Sequence, residues 1–287
     1  MSFLNKIKKP SVKPPIITLV GGAGVGKTTL AATFPNPVFI QAEDAETVFQ
    51  TYKEEEQPSF FPLIQSPNSK RFNIKEQILS NLRDLITEQH EFKTVVIDSV
   101  TALNLFFEQE ILLDDNQRLA KAGKQPVTNI ADTHGGFHKG YQVLKGFHLD
   151  LFKACQALRD MRGITVVFLA HTGTERIKHD PSETSEYHLF SLNMHKDSAK
   201  IYIDNSDAVI FMRHEMLARK YEDGDKKSMA KSKVLNTGTR QLIYSGDGEI
   251  GFPYAKNRFG LSGSEDISHR ENPLLTTIPF FNNKQEI

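Results

Sequence analysis

The segment at residues 21–28 constrains the fold of this chain more than any other part of the sequence. Its letters, GGAGVGKT, fit the pattern G-x-x-x-x-G-K-[ST], in which glycines let backbone N–H groups turn inward around a phosphate. The pattern requires a strand before it and a helix after it. Residues 16–20 are mostly apolar and β-branched, which predicts a buried strand, and residues 27–34 predict a helix that Pro35 ends. The segment therefore predicts a phosphate-binding loop.

The chemistry of this loop predicts ATP and Mg²⁺ as its ligands. Lys27 is expected to reach the β- and γ-phosphates and to act in catalysis, and the Thr28 hydroxyl is expected to bind the metal. The positive end of the helix that begins at Lys27 points at the same anion. The predicted nucleotide-binding residues are Gly21, Gly22, Ala23, Gly24, Val25, Gly26, Lys27, Thr28 and Thr29.

The order of apolar segments along the chain predicts an α/β fold. Strand and helix patterns alternate through residue 170, which indicates a mainly parallel central sheet with helices on both faces. The later strands follow one another without long helices, which indicates an antiparallel C-terminal extension. The predicted strands are 16–20, 38–41, 94–97, 164–170, 208–212, 233–235 and 241–244, and the predicted helices are 27–34, 74–88, 103–113 and 141–162.

Three polar stretches lie between these elements. Residues 43–56 contain six acidic side chains and one lysine, which predicts a solvent-exposed helix. Residues 114–140 and 172–200 are polar and irregular, and loops of that length usually carry function. A hairpin tip is predicted near 222–227.

An aspartate follows the predicted strand 94–97. Because ligands of open α/β sheets bind at the carboxyl ends of the strands, Asp98 is expected beside the phosphate loop, where it would hold Mg²⁺ together with Thr28. The alternative is that Asp98 caps the helix that follows, as Asp and Ser often do at this position.

Two further polar side chains, Glu43 and His171, follow strands. Glu43 comes just after the second strand, where a carboxylate can orient and deprotonate the attacking water. The alternative is an acid that stabilises a helix N-terminus, and Asp44 and Glu46 would serve equally well there. His171 ends the strand 164–170, where it either faces the γ-phosphate as a sensor or is simply a hydrogen-bonded polar residue.

The sequence KNRFG at residues 256–260 places two cations, Lys256 and Arg258, on the same side of an extended segment. Cations that reach a developing phosphate charge raise reaction rates strongly. Because these two are far from the phosphate loop in sequence, they could act in a neighbouring subunit's site. The alternative is a pair of surface cations on an edge strand.

Taken together, these motifs resemble the RecA-type ATPases. The phosphate loop, the sequence FIQAE at 39–43, the sequence VVIDS at 95–99 and the sequence KNRFG at 256–260 occur in the order found in that family. KNRFG is identical to a signature of the RadA proteins. The sequence GFHKGY at 136–141 and the strand that ends at His171 are similar to phage-encoded RecA-like proteins of the Sak type, which act in single-strand annealing and recombination.

The resemblance implies a role for each site residue. Glu43 falls at the position of the catalytic glutamate, and Lys256 and Arg258 fall at the position of cations that act on a neighbour's ATP. His171 falls where RecA has a glutamine that senses the γ-phosphate. The family has two DNA-binding loops, which correspond here to 114–140 and 172–200. Because Lys256 and Arg258 would act on a neighbour's ATP, the resemblance also implies a homo-oligomer with ATP sites between its subunits.

The charge of the chain bears on its partners. The chain contains 35 Lys and Arg against 35 Asp and Glu, so a polycation that coats nucleic acid is excluded, although local basic patches are not. Residues 117–148 contain five cations and one acid, with Phe137 and Tyr141 available to stack on bases. Single-stranded DNA is the predicted partner, with a single-strand-binding protein as a further one.

The expected organisation is an N-terminal tether at 1–15, one RecA-like ATPase domain at 16–262 and a C-terminal tail at 263–287. No apolar run is long enough to span a membrane, and the single cysteine, Cys155, cannot form an intrachain disulfide, so a cytoplasmic location is expected. The predicted function is a DNA-dependent, Mg²⁺-dependent ATPase in phage recombination or replication. The alternatives are a regulatory ATPase that acts on a protein partner, such as a helicase loader, and a small-molecule kinase.

Overall fold

The computed structural model of the chain describes residues 11–68, 70, 73–177, 187–219, 233–245, 255–268 and 271–282. Its strands are β1 (Ile16–Gly21), β2 (Pro37–Gln41), β3 (Ser59–Phe60), β4 (Thr94–Asp98), β5 (Thr165–Ile177), β6 (Tyr187–Leu192), β7 (Ala208–Arg219), β8 (Lys233–Ile243), β9 (Lys256–Asn257) and β10 (Ser264–Ile267). Its helices are α1 (Lys27–Ala31), α2 (Ile74–Thr87), α3 (Val100–Lys121), α4 (Lys139–Arg162), α5 (Lys196–Asn205), α6 (Leu274–Thr277) and α7 (Pro279–Asn282).

One sheet organises the described residues, with strand order β10-β8-β7-β1-β5-β4-β2-β3. The strands from β7 to β3 in this order run parallel to their neighbours. β8 pairs antiparallel with both β7 and β10, and β9 pairs antiparallel with β7. The predicted α/β fold, with a mainly parallel sheet and an antiparallel C-terminal extension, is confirmed. β5 lies between the strand of the phosphate loop, β1, and the strand that ends in Asp98, β4.

Side-chain alternation along the strands divides the core into two layers. Ile16 and Val20 of β1 face the layer that contains α2, α3, α4 and α5. Ile17 and Leu19 face the other layer, which contains α1 and α6. Both layers are mainly apolar, as expected for a parallel sheet buried on both faces. Within the described ranges, no helix combines the length and the apolarity that a membrane crossing requires.

The prediction of two long loops, made from composition, is partly wrong. Helix α3 continues to Lys121 and α4 begins at Lys139, so the first connection is shorter than 114–140. The helix continues because Asp115 occupies a buried position, where Arg118 and the backbone N–H of His134 satisfy its carboxylate. In the second stretch, β5 runs on to Ile177 and pairs with β6, and α5 follows. Backbone pairing in this hairpin does not require the apolar pattern that the prediction relied on.

Three other predictions differ from the described elements. Residues 43–56 contain short 3₁₀ turns, Glu46–Phe49 and Glu54–Glu56, rather than one helix. Helix α1 ends at Ala31, before the predicted end at residue 34. The predicted tail adds β10 to the sheet and buries Leu274 and Ile278 against the layer that contains α1. The predicted hairpin tip near 222–227 lies outside the described residues.

Alanine substitutions at two glycines of α4 are expected to have opposite effects on stability. A Cβ on Gly140 would collide with the backbone oxygen of Ile130 and the hydroxyl of Thr133, whereas a Cβ on Gly146 would meet no atom within 4 Å. We expect Gly140→Ala to lower the free energy of unfolding by about 1–3 kcal/mol because the backbone must shift. We expect Gly146→Ala to raise it by about 0.5–1 kcal/mol because alanine favours the helix. Urea unfolding of both variants measures the difference, and equal effects would contradict this packing.

Candidate active site

The phosphate loop connects β1 to α1 at the carboxyl edge of the sheet. Gly24 and Gly26 have φ angles of 74° and 97°, a backbone conformation that glycine adopts without strain. The Nζ atom of Lys27 donates hydrogen bonds of 2.9 Å to the backbone oxygens of Gly21 and Gly22. Burial lowers the pKa of the Lys27 ammonium, and the carboxylates of Asp98 and Glu43 act in the opposite direction. The lysine is thus held over the loop, where a phosphate would replace the carbonyl oxygens as its partner.

Asp98 lies directly beside the loop. The Thr28 hydroxyl donates a hydrogen bond of 2.8 Å to the Oδ2 atom of Asp98. Burial raises the pKa of Asp98 to about 6, against the effects of that hydrogen bond and of Lys27. Ser99, rather than Asp98, caps the helix that follows. Its hydroxyl accepts a 3.1 Å hydrogen bond from the backbone N–H of Ala102 at the start of α3. A hydroxyl and a buried carboxylate side by side suit Mg²⁺, which takes few protein ligands when it also binds phosphates.

Glu43 lies in the same cluster. Its Oε1 atom accepts a 2.7 Å hydrogen bond from the Ser99 hydroxyl, and its Oε2 atom lies 3.2 Å from Nε2 of His171. The contact with His171 is the main cause that lowers the pKa of Glu43, and Ser99 and Lys27 act in the same direction. Glu43 is therefore a fixed carboxylate, ionised at neutral pH, at the carboxyl edge of the sheet.

The two other acids considered for this role point elsewhere. Asp44 accepts a hydrogen bond from the backbone N–H of Glu46 within the same turn. The Oε1 atom of Glu46 accepts a 2.7 Å hydrogen bond from Gln41. Both acids are occupied in the local turn, and Glu43 alone of the three contacts His171.

The strand order explains why His171 reaches Glu43. β5 lies between β1 and β4, and His171 is the register partner of Gly21. The backbone N–H of His171 donates a 3.0 Å hydrogen bond to the hydroxyl of Thr101 in α3. His171 therefore lies between the phosphate loop and the carboxylates, at a position from which it can contact both.

Lys256 and Arg258 are not part of this cluster. β9 pairs with the beginning of β7, where Asn257 lies opposite Ala208. The phosphate loop begins at the other end of the paired part of β7, where Gly21 lies opposite Met212. The two cations thus lie at the other edge of the sheet. Arg258 donates a 3.0 Å hydrogen bond to Asp207, and Lys256 donates one of 2.8 Å to the backbone oxygen of Asp204.

The sequence analysis did not identify Ser99, Thr101 or Arg240 as site residues. Ser99 and Thr101 follow Asp98 directly, and their hydroxyls orient Glu43 and the backbone of His171. Arg240 is far from the loop in sequence, yet its guanidinium lies against Gly26. No spacing pattern indicates that contact, because it depends on how β8 pairs with β7.

A loop that holds a lysine over its own carbonyls, next to a threonine bonded to a strand-end aspartate, is the arrangement of a P-loop ATPase. A family model described as an AAA domain matches residues 13–248, and the chain belongs to that family. No curated protein matches the chain. Among solved structures, the chain is similar to that of the RadB recombinase. The match covers 90% of this chain and 90% of the RadB chain, at 13% sequence identity and a TM-score of 0.43.

Proposed function

We propose that this protein is a Mg²⁺-dependent ATPase that acts on single-stranded DNA in phage recombination or replication, with ATP sites shared between copies of the chain. The observation that carries the proposal is the hydrogen-bonded contact of Glu43 with Ser99 and His171, beside Asp98 and Thr28. A structural acid would not need a histidine and a hydroxyl to fix it at the edge where nucleotides bind.

The residues fit both ATP and Mg²⁺. Backbone N–H groups of the loop and Lys27 would hold the phosphates, and Thr28 and Asp98 would hold the metal. When bound, Mg²⁺ would neutralise charge on the β- and γ-phosphate oxygens. Glu43 would orient a water and take its proton, and His171 would keep the carboxylate in place and contact the γ-phosphate.

The position of Lys256 and Arg258 supports a shared site. Both cations lie at the sheet edge opposite their own phosphate loop, and both are exposed enough to exchange their partners for a phosphate. A neighbouring copy that packs this edge against its phosphate loop would bring them to its ATP. A homo-oligomer is therefore part of the proposal.

The turn at residues 134–138 supports contact with single-stranded DNA. Phe137 is 93% exposed, and the residues from His134 to His138 all have positive φ angles, which projects the turn from the start of α4. Tyr141, the residue that follows the first predicted DNA-binding loop, stacks on His195 of the second loop at 4.2 Å between ring centroids. Exposed aromatic rings beside Lys139 suit unpaired bases and the phosphate backbone.

The same region is linked to the site. The backbone oxygen of His171 accepts a 2.8 Å hydrogen bond from Asn193, two residues before His195. A shift of His171 on hydrolysis would therefore reach the aromatic pair. The exposed Phe137 would equally suit a protein partner, such as a single-strand-binding protein or a helicase, which is the second candidate function.

The experiment is ATP hydrolysis at several protein concentrations, with and without single-stranded DNA, at two salt concentrations. We expect hydrolysis to rise faster than linearly with protein and to increase with DNA, and the DNA effect to weaken at high salt because phosphate contacts release counterions. Phe137→Ala should lose the DNA effect and keep the basal rate. Hydrolysis that ignores DNA but responds to a protein partner would favour the second candidate.

Mixing variants tests the shared site. Lys256→Ala lacks the cation but keeps its phosphate loop, and Lys27→Ala lacks the loop lysine but keeps Lys256. Each variant alone should be inactive, and the mixture should regain part of the activity because each chain supplies what the other lacks. No recovery, in a mixture that forms mixed oligomers by native mass spectrometry, would show that Lys256 does not act between chains.

A further inference from the structure

His214 of β7 and Arg240 of β8 lie opposite each other on the face of the sheet that α1 covers. They are register partners in the antiparallel pair, and the next pair toward the core on the same face is Met212 with Leu242. Met212 and Leu242 are buried with Leu30 of α1. Because side chains alternate along a strand, His214 and Arg240 continue this face beyond the core, beside the start of α1.

Arg240 contacts the phosphate loop itself. A Cβ built on Gly26 would lie 2.6 Å from the Nη1 atom of Arg240 and 3.5 Å from the Cε atom of Met212. The absence of a side chain at Gly26 thus lets the guanidinium pack against the loop. Across the described ranges, that guanidinium forms no hydrogen bond or ion pair, so its donors are available.

A cavity of about 730 Å³ opens on this side of Arg240. A volume of this size matches the clefts that bind small ligands. Among the residues described, the Nδ1 atom of His214 is buried without a hydrogen-bond partner, although its ring lines the cavity. A buried polar atom without a partner costs free energy, which a ligand can recover. The polar residues of the lining are His214, Thr237, Thr239, Arg240, Asp266, Ser268 and Glu271.

The sheet order defines what this cavity faces. Glu43, Asp98 and His171 gather over β5, β4 and β2, on one side of β1. On the proposed function, the γ-phosphate lies on that side, next to Glu43. The cavity lies over β7, β8 and β10, on the other side of β1, where the base and ribose of an extended nucleotide would lie.

We propose that this cavity binds the base and ribose of the nucleotide, with Arg240 and His214 as its specificity-determining residues; this rests on the proposed ATP binding. A planar guanidinium stacks on a base or donates to it, and the imidazole of His214 hydrogen-bonds an edge of the ligand. Glu271 supplies a carboxylate that accepts from a ribose hydroxyl or a base amino group. The ligand class is a nucleoside triphosphate rather than any polyphosphate.

Calorimetric titration with two probes, ATP and inorganic tripolyphosphate, at fixed Mg²⁺ tests the proposal. Arg240→Ala should weaken ATP binding about 10- to 100-fold, the effect of losing a charged hydrogen bond, and leave tripolyphosphate within about threefold. His214→Ala should change the two affinities in the same unequal way. Arg213→Ala is the matched control, since Arg213 is the neighbouring residue on β7 and its side chain leaves the opposite face.

The two probes separate the possible failures. Unchanged ATP affinity in Arg240→Ala, or an equal loss for both probes, overturns the nucleoside pocket while leaving ATP binding intact. A wild-type protein that binds neither probe overturns the proposed function and the pocket together. If Arg240→Ala lowers the melting temperature, Arg240→Gln replaces it in the test, because glutamine keeps most of the side-chain stem. The ratio of the affinities for ATP and tripolyphosphate then decides whether the pocket binds the nucleoside.

Discussion

A Lys27→Ala variant is expected to lose ATP binding by at least about 100-fold while keeping its fold, since the ammonium and the phosphates would form a buried charge pair, and removing one partner of such a pair costs about 3–5 kcal/mol. Lys27 is 7% exposed, and its ammonium contacts only the carbonyl oxygens of Gly21 and Gly22 within the described residues. Without the lysine, water can hydrogen-bond these carbonyl oxygens, so the fold is kept. The bound phosphates, in contrast, lose their cation, so the free energy of ATP binding is what changes. Titration with ATP measures the loss, and thermal melting checks the fold.

The matched control for Lys27 is an exposed lysine outside the loop. Lys53→Ala removes one positive charge from the surface between β2 and β3 and should leave the affinity for ATP unchanged. Equal affinities of the Lys27→Ala and wild-type proteins would mean that the loop does not hold the phosphates. The assignment of the active site would then be wrong as a whole.

The second large effect is on turnover. A Glu43→Gln variant should bind ATP about as tightly as the wild-type protein and hydrolyse it about 10²–10⁴-fold more slowly, the usual contribution of a general base. The amide keeps the size of the side chain, and its oxygen can still accept from the Ser99 hydroxyl. The change removes the ability to take a proton, together with the negative charge that faces His171. Single-turnover hydrolysis and ATP titration together separate the chemical step from binding.

Glu46→Gln is the control for Glu43. Glu46 is an acid three residues away whose carboxylate is engaged by Gln41, so this change should leave hydrolysis near the wild-type rate. If Glu43→Gln hydrolyses ATP normally, the base is another group. If Glu46→Gln is the slow variant, the local turn rather than the cluster with His171 carries the chemistry.

The strands and the identity of the site residues could be predicted because both depend on local patterns. A buried parallel strand is an uninterrupted apolar run, and the polar residue that follows it lies at the binding edge. Asp98, Glu43 and His171 were found in this way, and the structure brings them together. Their catalytic roles remain predictions.

The remaining features depend on contacts between distant segments. The order of the sheet, with β5 next to β1, does not follow from any one segment, and it is what puts His171 beside Glu43. The β5–β6 hairpin was missed because its backbone pairing does not depend on apolar alternation. Arg240 was missed because its distance to Gly26 depends on the register of β8 on β7.

The continuity of β5 has a mechanical consequence. The strand pairs with β1 up to His171 and with β6 from Thr172 to Ile177, without a break between the two partners. Six residues of extended chain span about 20 Å, so the far end of the hairpin lies well away from the sheet. If His171 contacts the γ-phosphate as proposed, a small rotation of this residue on loss of the phosphate would become a larger displacement at the far end of the hairpin.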